Sequence, residues 1–158
     1  MKHFPGIGLA IRNTDRFVDT VGASKATLDA DLRPYRRAIG HGVPLIMLSN
    51  ATYTVYDPTN AAGRSHAIAV KLLRWELGFT GVSITDPLDG TAHARGLPVR
   101  TLAIRAAIAG TDIILTTGSE KTTTRLYARS HARARDGTIP LGRLRASYQR
   151  IMTLKAGL

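Results

Sequence analysis

The chain has 158 residues, 44% of them hydrophobic, no cysteine and a formal charge of +11. That length and apolar content suit one domain with a packed core, and the absence of cysteine excludes disulfides, thiolate metal sites and cysteine nucleophiles. No apolar run reaches the roughly 18 residues that a bilayer span needs, so membrane insertion is not expected. The first residues also lack the basic-then-apolar layout of an export signal, which makes cytoplasmic placement the default unless such a signal lies upstream of Met1.

Met1–Gly8 carries Pro5, Gly6 and Gly8 and reads as the exit of a strand. Three segments then repeat one layout of helix, glycine-bearing link and apolar strand. Leu32–Ile39 leads through Gly40-His41-Gly42 into Val43–Leu48. Ala67–Leu77, with Ile68, Leu72 and Trp75 at the spacing of one buried helix face, leads through Gly78-Phe79-Thr80-Gly81 into Val82–Thr85. Leu102–Ala109 leads through Gly110 into Ile113–Thr116. Two helices, Lys121–Arg135 and Leu141–Lys155, flank a turn at Asp136–Pro140.

The alternation predicts an α/β fold, and near-continuous apolar runs predict parallel strands covered on both faces. A complete (β/α)₈ barrel needs about 200–250 residues. Three units and a stub therefore predict a partial (β/α)₈ barrel of about the last four β/α units, with a small doubly wound sheet as the alternative. No linker divides the chain, so residues 1–158 are expected to form one domain.

Residues 121–158 set nine basic side chains against one acid, Asp136. Arg125, Arg129 and Arg133 recur every four residues and make one basic stripe on a helix. Few aromatics interleave with them and no nucleic-acid motif is present, so a solvated helix face is preferred to an anionic-polymer binder, and no nucleic-acid partner is expected.

In parallel α/β folds reactive groups sit at the C-terminal ends of strands. Asp86 follows Val82–Thr85 directly; it could be a reactive carboxylate or the start of a turn at Pro87-Leu88-Asp89-Gly90. Asn50 and Tyr53 follow the first full strand and could reach a ligand, although a polar loop accounts for them as well. Thr116, Thr117, Gly118 and Ser119 follow the last strand, where capping of the next helix is the preferred role. Gly6-Ile7-Gly8 lacks the third glycine of a dinucleotide fingerprint, because Ile11 stands there. The five histidines show no metal-ligand spacing, so neither cofactor nor metal is expected.

Lys2-His3-Phe4-Pro5-Gly6 resembles a signature of glycoside hydrolase family 3. Leu73-Arg74-Trp75-Glu76-Leu77-Gly78-Phe79-Thr80-Gly81-Val82, followed by Thr85-Asp86, is similar to that family's nucleophile block, and Ala107-x-Ala109-Gly110-x-Asp112 to a third block in family order. The resemblance is to the β-N-acetylhexosaminidase type, spans nearly the whole chain, and implies a truncated N-terminal (catalytic) domain of that family. It implies a retaining hydrolase of terminal β-linked sugars, N-acetylglucosamine or glucose, with Asp86 as nucleophile and Lys2 and His3 as substrate-binding residues.

The hexosaminidase branch carries a histidine after Phe-Pro-Gly and an Asp-Ser-His dyad loop. Aligned through Pro5, those positions are Ile7, Asn13 and Asp15, and Pro87 replaces a second aspartate after Asp86. Asp15 is therefore the candidate acid/base, on the condition that burial raises its pKa. A non-catalytic carbohydrate-binding remnant is the alternative. The unpaired edges of a half barrel also predict self-association.

Overall fold

A computed structural model describes residues 1–158. The strands are β1 (Thr20–Val21), β2 (Leu45–Leu48), β3 (Thr52–Tyr53), β4 (Asp57–Ala61) and β5 (Val82–Thr85). The α-helices are α1 (Lys25–Asp31), α2 (Arg33–Gly40), α3 (Leu88–Ala94), α4 (Val99–Ala109), α5 (Glu120–Arg135) and α6 (Leu141–Ala156). A 3₁₀ turn at Ala62–Arg64 and a π helix at Ala67–Glu76 lie between β4 and β5. No helix is long and apolar enough to cross a membrane.

Four chain segments run parallel, side by side, in sequence order. The first is the N-terminal stub, which joins β2 by a bridge at Phe4 and Leu48 and by Phe4 N–H donating to Met47 C=O at 2.8 Å. β2 pairs with β5 in register from Leu45 opposite Val82 to Leu48 opposite Thr85. The segment predicted as a strand at Ile113–Thr116 contributes a single bridge, Ile84 to Ile113, because the Thr85 hydroxyl takes over as acceptor for Leu115 N–H at 3.0 Å. The strand predicted from Val43 begins at Leu45; Pro44 has no N–H to donate, yet its carbonyl still accepts from Val82 at 3.0 Å.

Side chains alternate across a strand. Ile46, Leu48, Ser83 and Thr85 share one fully buried face. Ile46 and Leu48 pack there with Leu28 of α1, Tyr35 of α2 and Leu72 and Leu73 of the π helix. On the opposite face Val82 is fully buried, but Leu45, Met47 and Ile84 are only half-buried. The expectation of strands covered on both faces is therefore corrected: helices cover one face and leave the other partly open.

The π helix corrects a second expectation. Ile68 and Trp75 are seven positions apart and would share an α-helical face. Here Leu77 N–H donates to Leu72 C=O at 3.1 Å, five residues back. The wider turn advances each residue by a smaller angle, which carries Trp75 off the buried face, and it is 69% exposed.

A small sheet has the order β1, β3, β4, and its β3 begins four residues after β2 ends. β1 is parallel to β3, and β3 is antiparallel to β4 with a bulge at Thr52/Tyr53. A second, smaller core joins Leu88 and Ala92 of α3 to Leu102 and Ala103 of α4, with Leu126 of α5 against it.

Candidate active site

Asp86 sits one residue beyond β5. Its N–H donates to Leu48 C=O at 3.1 Å and so continues the sheet pairing, while its side chain lies where the strands end. Pairing of the stub with β2, and of β2 with β5, brings residues 83 positions apart together: His3 Nε2 stands 3.6 Å from Asp86 Oδ1. Asp86 is 5% exposed. Burial pushes its carboxyl above the ordinary 3.8; the positive charge of His3 opposes this, Asp15 adds to it, and Lys2 opposes it again. Lys2, His3 and Asp15 thus all lie close enough for their charges to act on Asp86.

Lys2 and His3 also line a cleft of about 350 Å³ with Ile7, Asp31 and Pro34. Asp86 is not on that lining. Gly6, at φ +135, turns the chain beneath the cleft, where an added Cβ would lie 3.0 Å from Asp31 Cβ.

The loop that carries Asp15 is held from within. Asp19 Oδ2 accepts from the backbone of Ile11 at 2.7 Å and Arg12 at 3.0 Å, and these bonds hold its carboxyl below the ordinary range. Asn13 Oδ1 accepts from Asp15 N–H at 2.8 Å. Asp15 itself is exposed, so the burial required for its acid/base role is absent.

The same loop presses on α3 at Gly90, where a Cβ would lie 1.9 Å from the Asp15 carbonyl oxygen. Gly to Ala inside a helix ordinarily stabilises by about 0.5–1 kcal/mol. Gly90→Ala is expected to do the reverse, costing about 1–3 kcal/mol as an overpacked contact. Urea unfolding of the variant checks the sign.

Asn50 and Tyr53 are both buried and bond to backbone close to the candidate site. Asn50 Nδ2 donates to Pro87 C=O at 2.9 Å, fixing the Pro87–Leu88 peptide one residue beyond Asp86. Tyr53 is fully buried and donates to Gly6 C=O at 2.9 Å, fixing the Phe4-Pro5-Gly6 turn. Burial pushes its phenol up to about 12. Of the residues after Ile113, Ser119 caps α5 by accepting from Thr122 N–H at 3.4 Å, and Thr117 donates its N–H to Asp89 Oδ2 at 2.6 Å. Capping is thus the role found for Ser119.

Arg64 is a participant that sequence reasoning missed. It is buried in the 3₁₀ turn, where Nη1 donates to Asn50 Oδ1 at 3.3 Å. A chain of contacts therefore runs from Arg64 through Asn50 to the Pro87 carbonyl. Burial first, then Arg95 and Arg105, push its guanidinium down to about 10. No carboxylate lies within ion-pair reach of it.

Asp112, noted only as part of a motif, ties four elements together. Its side chain is fully buried. Oδ2 accepts from Arg74 Nη2 at 2.6 Å, Ser83 N–H at 2.9 Å and Ser83 Oγ at 3.0 Å. Oδ1 accepts from Ser147 Oγ and Arg150 Nη2, each at 2.7 Å. The π helix, β5, the α4 exit and α6 are thereby joined. Burial alone would raise the Asp112 carboxyl; the bonds from Arg150, Ser83 and Ser147 and the charge of Arg74 outweigh it and hold the group below 3.8.

Comparison with known proteins identifies the family of the chain. The family described as Glycosyl hydrolase family 3 N terminal domain matches residues 1–154. An uncharacterized secreted glycosyl hydrolase of Arthroderma benhamiae is 35% identical over 163 positions, which take in 100% of this chain and 46% of that protein. A beta-hexosaminidase of Alkalilimnicola ehrlichii is 33% identical over 115 positions, 72% of this chain and 33% of that one. Among solved structures, the glycoside hydrolase family 3 beta-N-acetylglucosaminidase of Paenibacillus sp. superposes with a TM-score of 0.93 at 31% identity, over 98% of this chain and 30% of that one. The beta-N-acetylhexosaminidase of Beutenbergia cavernae gives 0.90 at 30% identity, over 98% and 46%. The chain thus spans less than half the length of each of these relatives and shares their α/β fold over nearly its whole extent. It belongs to glycosyl hydrolase family 3, whose N-terminal domain it matches.

Proposed function

We propose that this chain is part of a retaining glycoside hydrolase acting on terminal β-linked sugars of the N-acetylglucosamine type, with Asp86 as nucleophile. The observation that carries the reading is the Asp86–His3 contact of 3.6 Å at the C-terminal ends of parallel strands. In the proposed cycle an Asp86 carboxylate oxygen attacks the anomeric carbon as the bond to the leaving oxygen breaks. Water then cleaves the glycosyl ester and restores the carboxylate. Lys2 and His3 hold sugar hydroxyls and set positive charge beside Asp86, favouring the ionised form that attack requires. Because Asp15 lacks the burial that a proton donor at its position would need, leaving groups that need little protonation are favoured.

The same proposal takes residues 1–158 as one domain, the C-terminal half of a (β/α)₈ barrel. Its support is the sequential parallel order of the stub, β2, β5 and the Ile113 segment, together with the half-open face at Leu45, Met47 and Ile84. In a full barrel four further strands cover that face, and a second copy meeting it is the proposed mode of self-association.

An aryl N-acetyl-β-glucosaminide tests the reading, since its leaving group departs without a proton. Release is expected for the aryl substrate and is expected to be about 10²–10⁴-fold slower for an alkyl glycoside, the usual worth of positioned proton transfer. No aryl alcohol from folded protein would leave a carbohydrate-binding remnant as the better description.

A further inference from the structure

We propose that the cleft between α4 and α5 is a binding site for an organic phosphate, separate from the Asp86 site. The cleft has a volume of about 610 Å³ and is larger than the one at Lys2 and His3. Arg100 enters it from the first turn of α4, and Arg125 and Arg129 enter from α5, while Pro98, Val99 and Leu126 supply an apolar surface. No acidic residue lines it. Its size falls within the roughly 300–1,000 Å³ of small-molecule sites.

The charges of this cleft are unanswered, whereas three other arginines of the fold have carboxylate partners. Arg74 and Arg150 close on Asp112, and Arg133 on Asp136 at 3.0 Å. Arg100, Arg125 and Arg129 have no carboxylate within ion-pair distance. Arg125 and Arg129 stand one helical turn apart, where like charges repel, and Arg100 faces them from the neighbouring helix. The α4 N-terminus opens beside them, with no side-chain cap at Pro98, and adds positive potential to the same space. Three guanidinium groups converging on one cleft suit phosphate oxygens, which accept paired N–H bonds from each fork.

A small ligand fits better than a polymer. The basic stripe would have to continue through Arg133 to form a track, and that side chain is engaged with Asp136. The apolar surface from Val99 and Leu126 gives a ring or carbon skeleton something to pack on.

Calorimetric titration at about 0.15 M salt tests the site with pyrophosphate, ADP and a sugar bisphosphate as probes. One saturable equivalent of pyrophosphate per chain is expected. Arg100→Gln, Arg125→Gln and Arg129→Gln are each expected to weaken it about tenfold or more, and Arg133→Gln to leave it unchanged. Whichever of ADP and the sugar bisphosphate exceeds pyrophosphate identifies the organic part.

Absence of saturable binding by wild type that retains native circular dichroism would overturn the proposal, as would equal weakening by Arg133→Gln. An oligonucleotide that displaces pyrophosphate with affinity rising with its length would overturn it in favour of a polyanion surface.

Discussion

Asp112→Ala is expected to cost about 3–5 kcal/mol, the range seen when one partner of a buried ion pair is removed. The loss is large because the arginines remain. Arg74 and Arg150 would be left with buried charge facing a void, and Ser83 and Ser147 would lose their acceptor. Against a total stability of about 5–15 kcal/mol, that places the variant near unfolding. Urea titration should show a sharply lower midpoint, and Asp112→Asn, which keeps the shape, should fall between it and wild type.

The pH dependence of Asp112 has a definite sign. Its folded carboxyl binds a proton less tightly than the unfolded one, whose value is near 3.8. Its stabilisation is therefore complete above that value and disappears as pH falls through the lower folded value. Acid unfolding of wild type should include this step, and unfolding of Asp112→Ala should lack it.

Asp86 is expected to behave in the opposite way. Its folded carboxyl is pushed up by burial, so the proton is held more tightly folded than unfolded. The ionised group then costs stability once pH rises through its folded value. Asp86→Asn, close to the neutral acid in shape, is expected to be more stable than wild type at pH 7 by an amount typical of relieved active-site strain, about 0.5–2 kcal/mol. The difference should vanish below about pH 3.8, where both side chains are neutral.

Activity should move the other way. Loss of the attacking carboxylate removes the covalent route, so aryl glycoside hydrolysis should fall by more than the about 10²–10⁴-fold attributed to proton transfer alone. A residue whose neutralisation raises stability and abolishes turnover is kept for chemistry; Asp112, where stability falls, is kept for the fold. Parallel urea melts and rate measurements on the two Asn variants separate these roles.

The strand ahead of Asp86 was legible because Val82–Thr85 is an apolar run closed off by Gly81 and by Asp86-Pro87, and its bounds in the structure are those predicted. The helices Arg33–Gly40, Leu141–Ala156 and Glu120–Arg135 likewise begin and end near caps and glycines visible in the sequence. The hairpin of β3 and β4 was not legible. Its strands are short, a bulge interrupts their register, and Pro58 within β4 reads as a strand breaker. Winding of Ala67–Glu76 as a π helix also leaves no mark in the spacing of Ile68 and Leu72, which suits an α-helix equally well.

At the candidate site, Asp86 was legible from its motif and from its place directly after the Val82–Thr85 run, whereas Lys2 and His3 were legible from their motif alone. Asn50 and Tyr53 were legible as positions and not as roles, because their partners, Pro87 and Gly6, are 37 and 47 residues away. Arg64 was illegible: arginine is among the residues least often fully buried, and nothing adjacent in sequence marks it as an exception.

The most direct test of Asp86 as nucleophile is the intact mass of the purified chain after exposure to a 2-fluoro-2-deoxy glycoside with an activated leaving group, beside Asp86→Ala. Such a sugar slows breakdown of a covalent glycosyl ester more than its formation. With Asp86 as nucleophile, wild type is expected to gain the mass of one fluorosugar and the variant none. No gain on folded wild type, or an equal gain on Asp86→Ala, would contradict it.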